Sequence, residues 1–180
     1  MIEERELDYV RWQNRAFRFY VGARLLYLNE QYAPAAYCAN QALELLLKAT
    51  LVYWDKSFHP QGAGHNIEKM LRIFRNKVPG SENFQCPQYL FADSRYQSTS
   101  RYPHPTGQGL GVPASFLSDI DVLFFDLVKM VPFQHNTELK RALRETQRKT
   151  LSILRRKNSA VRSLRKYLGV RVSKRAPTTS

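Results

Sequence analysis

Residues 32–54, YAPAAYCANQALELLLKATLVYW, decide the fold of this chain. At helical pitch Gln41, Glu44 and Lys48 recur at i, i+3 and i+7 and form one narrow polar stripe. Most of the remaining circumference is apolar, from Ala35, Ala36 and Ala39 through Leu43, Leu45, Leu46 and Leu47 to Leu51 and Val52. A helix at the surface shows one apolar stripe, whereas a helix apolar over most of its girth is wrapped by neighbours. A length of about 20 residues also suits a membrane span. Asn40, Gln41, Glu44 and Lys48 in the middle exclude that reading, because charge at bilayer depth costs a few kcal/mol per residue. Ala35, Ala36, Ala39 and Ala42 leave room for a second helix to approach closely. The segment is expected to be the central helix of a soluble, all-α bundle.

Working outward, Glu3 to Gln31 reads as a long helix, with Leu7, Val10, Phe17, Val21, Leu25 and Leu28 on one apolar face interrupted by Asn14. Arg11, Arg15 and Arg18 form a basic stripe elsewhere on it, suited either to solvent or to phosphate. The short break at Asn29–Tyr32 implies an antiparallel pair, and Pro34 sits in the first turn of the second helix, where proline is tolerated. Lys56–Gly64 is a loop by its Pro and Gly content. His65–Lys77 is a third helix with Ile67, Met70, Leu71 and Phe74 buried, stopped by Pro79, Gly80 and Ser81. Asn83–Arg95 is expected to be helical. Gln97–Pro113 is a long Ser-, Thr-, Gly- and Pro-rich loop, a kind that is often functional. Ala114–Val131 is a further helix, capped by Ser115, with Phe116, Ile120, Leu123, Leu127 and Met130 along one face and Asp119, Asp121 and Asp126 polar.

After Pro132 a charge-rich helix is expected from Asn136 or Thr137 to about Lys157, then a basic amphipathic piece over Ser159–Leu168, ended by Gly169. The net charge of +13 concentrates here. Residues 1–137 carry 14 Lys and Arg against 13 Asp and Glu, and residues 138–180 carry 14 against 2. The division expected is a bundle over residues 1–133 and a basic helical extension and tail over residues 134–180. Such asymmetry suits nucleic acid or another anionic surface, or solubility alone. Composition adds little else. At 43% hydrophobic residues the chain can build a core, and its start, MIEEREL, is acidic rather than signal-like. Cys38 and Cys86 make no disulfide framework or CxxC pair, so a reducing, cytoplasmic setting is expected.

There is no Gly-rich phosphate loop, HExxH or nucleophile elbow. Chemical potential concentrates in the long loop, at Arg95, Tyr96, Ser98, Thr99, Arg101, Tyr102 and His104. Metal-independent RNA cleavage needs a base near the 2′-hydroxyl and a cation for the phosphorane charge. His104 with Arg101 or Arg95 supplies both, and Tyr96 and Tyr102 can stack on bases. Equally, Arg101 can tie the loop to Asp93. His59, His65 and His135 have no partner at metal-ligand spacing and read as structural, so no metal or other cofactor is expected. Further candidates for RNA or nucleotide contact are Arg148, Arg155, Arg156, Arg162, Arg165 and Lys166.

Three stretches together resemble one family. AAYCANQALELLLKATL is similar to the second helix of HEPN domains, with Gln41, Ala42, Glu44, Lys48 and Ala49 at the family's positions. GHNIEKML is similar to the segment that follows it. Asp93, Tyr96 and Arg101-Tyr102-Pro103 resemble elements of an Arg-Tyr-Pro-containing subgroup. The resemblance runs from about Asp8 to Val131. It implies an up-and-down bundle of four to five helices, here with a basic C-terminal extension. It also implies frequent homodimers and association with nucleotides, nucleotidyltransferase-type partners and RNA cleavage in toxin–antitoxin or defence systems. The ribonuclease members carry Arg, four to six residues, then His. Here Arg95 to His104 leaves eight residues and Arg101 to His104 leaves two. Three functions follow as expectations: a non-catalytic module for RNA, nucleotide or a protein partner; a metal-independent endoribonuclease; or a helical scaffold that docks another protein or an anionic membrane.

Overall fold

A computed structural model describes residues 2–90, 112–131, 137–144 and 149–169. Among the described residues there are eight α-helices and no strand. They are α1 (Ile2–Leu28), α2 (Tyr32–Trp54), α3 (Pro60–Ala63), α4 (Ile67–Lys77), α5 (Phe116–Lys129), α6 (Glu138–Arg144), α7 (Lys149–Arg155) and α8 (Ala160–Tyr167). The protein is an all-α helical bundle.

The helices α1 and α2 form the expected antiparallel pair. Tyr27 meets Tyr32 beside the turn and Tyr9 meets Tyr53 at the far end, with ring centroids 5.3 and 5.5 Å apart. Glu30, at φ 63°, takes the left-handed conformation that reverses the chain between them. Against this pair, α4 packs on α2, and α5 packs on both α1 and α2. Leu46, Leu47, Leu51, Met70, Leu71, Phe74, Phe116 and Leu127 fill the space between with essentially no exposed surface. Asn66 caps α4, its Oδ1 accepting from the Lys69 N–H at 2.8 Å. All four expected core residues of α4 are buried.

Two expectations about elements need correction. Among the described side chains of α1, those turned inward are Tyr9, Gln13, Ala16, Phe17, Tyr20, Ala23 and Arg24, while Leu25 is 45% exposed. Of the described part of Asn83–Arg95, only Gln88–Leu90 is helical, as a single 3-10 turn. Pro87 explains this, because it lacks an N–H and drives Cys86 away from helical geometry. Phe84 and Leu90 are nonetheless buried, so the segment is pinned as a loop. The rest of that segment lies outside the described residues.

The basic C-terminal helices pack on the bundle. Both α6 and α7 lie against α1, and α8 lies against α5. Leu139, Leu143, Leu154, Val161 and Leu164 are buried in the process. Polar contacts fasten them. Arg24, with no exposed surface, forms a buried ion pair with Asp121 of α5. The same guanidinium donates to the Ile153 carbonyl at 3.1 Å and to the Arg156 carbonyl at the end of α7. The Tyr20 hydroxyl donates to Asp121 at 2.6 Å and accepts from Asn158 at 3.1 Å. Asp121 is thus the buried hub of this cluster rather than a polar residue of the helix surface. The single helix expected over residues 137–157 contains two helical stretches, α6 and α7, with residues 145–148 outside the description. At the C-terminal end of α5, the Trp54 indole donates to the Met130 carbonyl at 2.6 Å and the Tyr167 hydroxyl donates to the Lys129 carbonyl at 2.8 Å. These satisfy acceptors that a helix end leaves open.

Candidate functional site

The polar stripe of α2 is a buried charged centre. The Glu44 carboxylate, 2% exposed, accepts from Lys48 Nζ at 2.7 Å and from Gln41 Nε2 at 3.4 Å. His65, just ahead of α4, places Nδ1 3.0 and 3.1 Å from the two carboxylate oxygens. A carboxylate oxygen only accepts, so Nδ1 is the protonated nitrogen and Nε2 is left for other partners. The His65 side chain is 71% exposed. Lys48 also stands 5.5 Å from the centroid of the Trp12 ring, a cation–π distance. A buried carboxylate is compensated here by one cation and orients one accessible imidazole, an arrangement competent for proton transfer.

By its spacing alone His65 reads as structural, because no partner sits at a regular interval. Its partner lies 21 residues earlier, on another helix. The only signal in the sequence is that two motif-bearing stretches, each with a polar residue in an apolar setting, have to pack together.

The packing of α6–α8 spreads a basic layer over α1 and α5. Arg141, Arg144, Arg155, Arg156, Arg162 and Lys166 are exposed. Arg165 is half-buried, and its Nε and Nη2 atoms are covered without a hydrogen-bond partner among the described residues. Burial and the neighbouring Arg155 push its pKa down. Among the described residues no carboxylate is paired with either Arg155 or Arg165. Arg18 of α1 pairs with Glu138 of α6, and the Arg18 hydrogen bond holds the Glu138 carboxyl below its ordinary range. The Glu138 N–H donates to Asn14 Oδ1 at 2.9 Å. Beside this junction is an open groove of about 390 Å³, lined by Arg11, Trp12, Asn14, Arg15 and Arg18.

Of the residues expected to act, Arg95, Tyr96, Arg101, Tyr102, His104 and Arg148 lie outside the described residues. Arg155, Arg156, Arg162, Arg165 and Lys166 belong to the one C-terminal layer. Among the described residues, no group of three His, Cys, Asp or Glu side chains is placed to hold a metal. No described helix is long and apolar enough to cross a membrane.

No curated protein and no solved structure gives a significant match to the chain. A family model, HEPN domain, matches residues 9–115, which takes in most of α1, all of α2, α3 and α4, and the segment leading to α5. Its extent includes Gln41, Glu44, Lys48 and His65, and stops short of α5 and the basic layer. The chain belongs to the HEPN domain family.

Proposed function

We propose that this protein is a HEPN module that binds RNA through phosphate contacts, with its C-terminal helices as a built part of the binding face. The observation that carries this reading is the docking of α6–α8 on α1 and α5, which fixes a dense basic layer on a folded surface. Residues 137–144 and 149–169 contain ten Lys and Arg and one acidic residue, Glu138. Glu138 is already paired with Arg18. An isolated basic tail attracts polyanions diffusely, whereas cations fixed on packed helices offer phosphates a defined spacing. The Arg165 guanidinium supports the same reading, because a covered cation with no counter-charge among the described residues is stabilised by an arriving anion.

The test is binding of labelled single-stranded RNA, in EDTA and at low salt. Deleting residues 138–180 is a poor variant, since it uncovers Leu139, Leu143 and the Arg24–Asp121 pair. Substitution of Arg155, Arg156, Arg162 and Lys166 by Gln keeps the fold and removes the charge. Loss of binding in that variant supports the proposal, and undiminished binding removes the layer from it.

A second reading, a metal-independent endoribonuclease, draws on the Glu44–His65 hydrogen bond, which presents an oriented imidazole to solvent. Cleavage in the same assay, abolished by His65→Ala or by His104→Ala and Arg101→Ala, identifies which histidine acts. Binding without cleavage leaves the module non-catalytic. A homodimer, a nucleotidyltransferase-type partner and a toxin–antitoxin or defence setting are further proposals that rest on family membership.

A further inference from the structure

We infer that the groove along α1 is a nucleotide-sized subsite for single-stranded RNA, in which Trp12 stacks on a base and Arg15, with Arg11 beside it, holds the adjoining phosphate. This rests on the proposed RNA binding and places it on a surface distinct from the C-terminal layer. Four observations carry it. The groove of about 390 Å³ falls within the size range of small-ligand clefts. Its described lining is three arginines, one asparagine and one tryptophan, with no acidic side chain. Arg15 is exposed and makes no hydrogen bond or ion pair among the described residues. Asn14 uses its Oδ1 to accept from Glu138, which leaves its Nδ2 donor for a base edge or sugar.

Single-stranded nucleic acid is held by a combination of this kind, cations that follow the backbone and an aromatic ring for bases. The ring is also set in place. Trp12 is half-buried and lies against Lys48, which the Glu44 carboxylate anchors at 2.7 Å. A positioned ring loses little side-chain freedom when a base arrives. Arg18, at one end of this lining, is held by its ion pair with Glu138 of α6. A short peptide or a bare phosphate would satisfy the arginines but would leave the indole unused.

Two tryptophans occur in the chain, so Trp54→Phe leaves Trp12 as the sole reporter of its own environment. In that background, an eight-residue uridine oligomer is titrated at low salt beside inorganic polyphosphate, which carries charge without bases. The expected result is saturable quenching of Trp12 by the oligomer and none by polyphosphate. Arg15→Ala then weakens oligomer binding about tenfold with unchanged circular dichroism. Oligomer binding that leaves Trp12 fluorescence unchanged, with Arg15→Ala at full affinity, overturns the subsite while the basic layer stands as the RNA face. Quenching by polyphosphate equal to that by the oligomer overturns the stacking role. Absence of any oligomer binding removes the RNA reading itself, and the subsite with it.

Discussion

Arg24 shows how much a single residue does here that no local pattern announces. It stands near the C-terminal end of an amphipathic helix, has no exposed surface, and binds Asp121 and two carbonyls near the end of α7. Removing one partner of a buried ion pair strands the other charge, at a cost of about 3–5 kcal/mol. Asp121→Asn is therefore expected to lose that much stability in urea denaturation, and Arg24→Met with Asp121→Leu to regain most of it. Glu138 sets a pH dependence. Its carboxyl is held below the ordinary Glu value by Arg18, so its contribution is complete above about pH 4.3 and is lost as pH falls through the depressed value. The melting temperatures of wild type and Glu138→Gln should differ most near neutrality and converge in acid. Arg165 gives a third expectation. Inorganic phosphate should raise the melting temperature of the wild type by mass action, and should do so much less in Arg165→Gln.

At the scale of elements, periodicity serves where a helix has one covered side. In α4 the pattern selects Ile67, Met70, Leu71 and Phe74 and all are buried; over Ser159–Leu168 it selects Val161, Leu164 and Leu168, of which the first two are buried and Leu168 is half-buried. It fails on α1, which is covered by α2, α5, α6 and α7 in turn, so that Gln13 and Arg24 lie inside and Leu25 does not. A single-stripe template has no place for such a helix. The docking of α8 is testable alone. Leu164 is 1% exposed, and its truncation to Ala should cost about 2–5 kcal/mol. In native-state hydrogen exchange the α8 amides should then open well before those of α2, which lie in the core and report global unfolding.

For the molecule as a whole, the extension and the bundle share one surface, and affinity for RNA should follow its charge. The logarithm of the binding constant is expected to fall linearly with the logarithm of salt concentration. The slope should shrink by about 0.7 for each phosphate of a single strand that a variant no longer neutralises. Replacing Arg155, Arg156, Arg162 and Lys166 by Gln tests this directly. A slope unchanged by all four substitutions would place the phosphates elsewhere.

By itself the sequence determined that this is an all-α protein built around residues 32–54, that charge gathers after residue 137, and that the family is HEPN. Each of these is local or compositional: a helical period, a count of charges, a run such as Gln41-Ala42-x-Glu44 with Lys48. Only the tertiary structure decided that Glu44 meets His65, that Asp121 is buried against Arg24, and that the basic helices are docked. Those outcomes join residues 21, 97 and, for Arg24 with Ile153, 129 positions apart. No helical period relates residues so far apart. Their partnership is fixed by which faces of the bundle remain to be covered once α1 and α2 have paired.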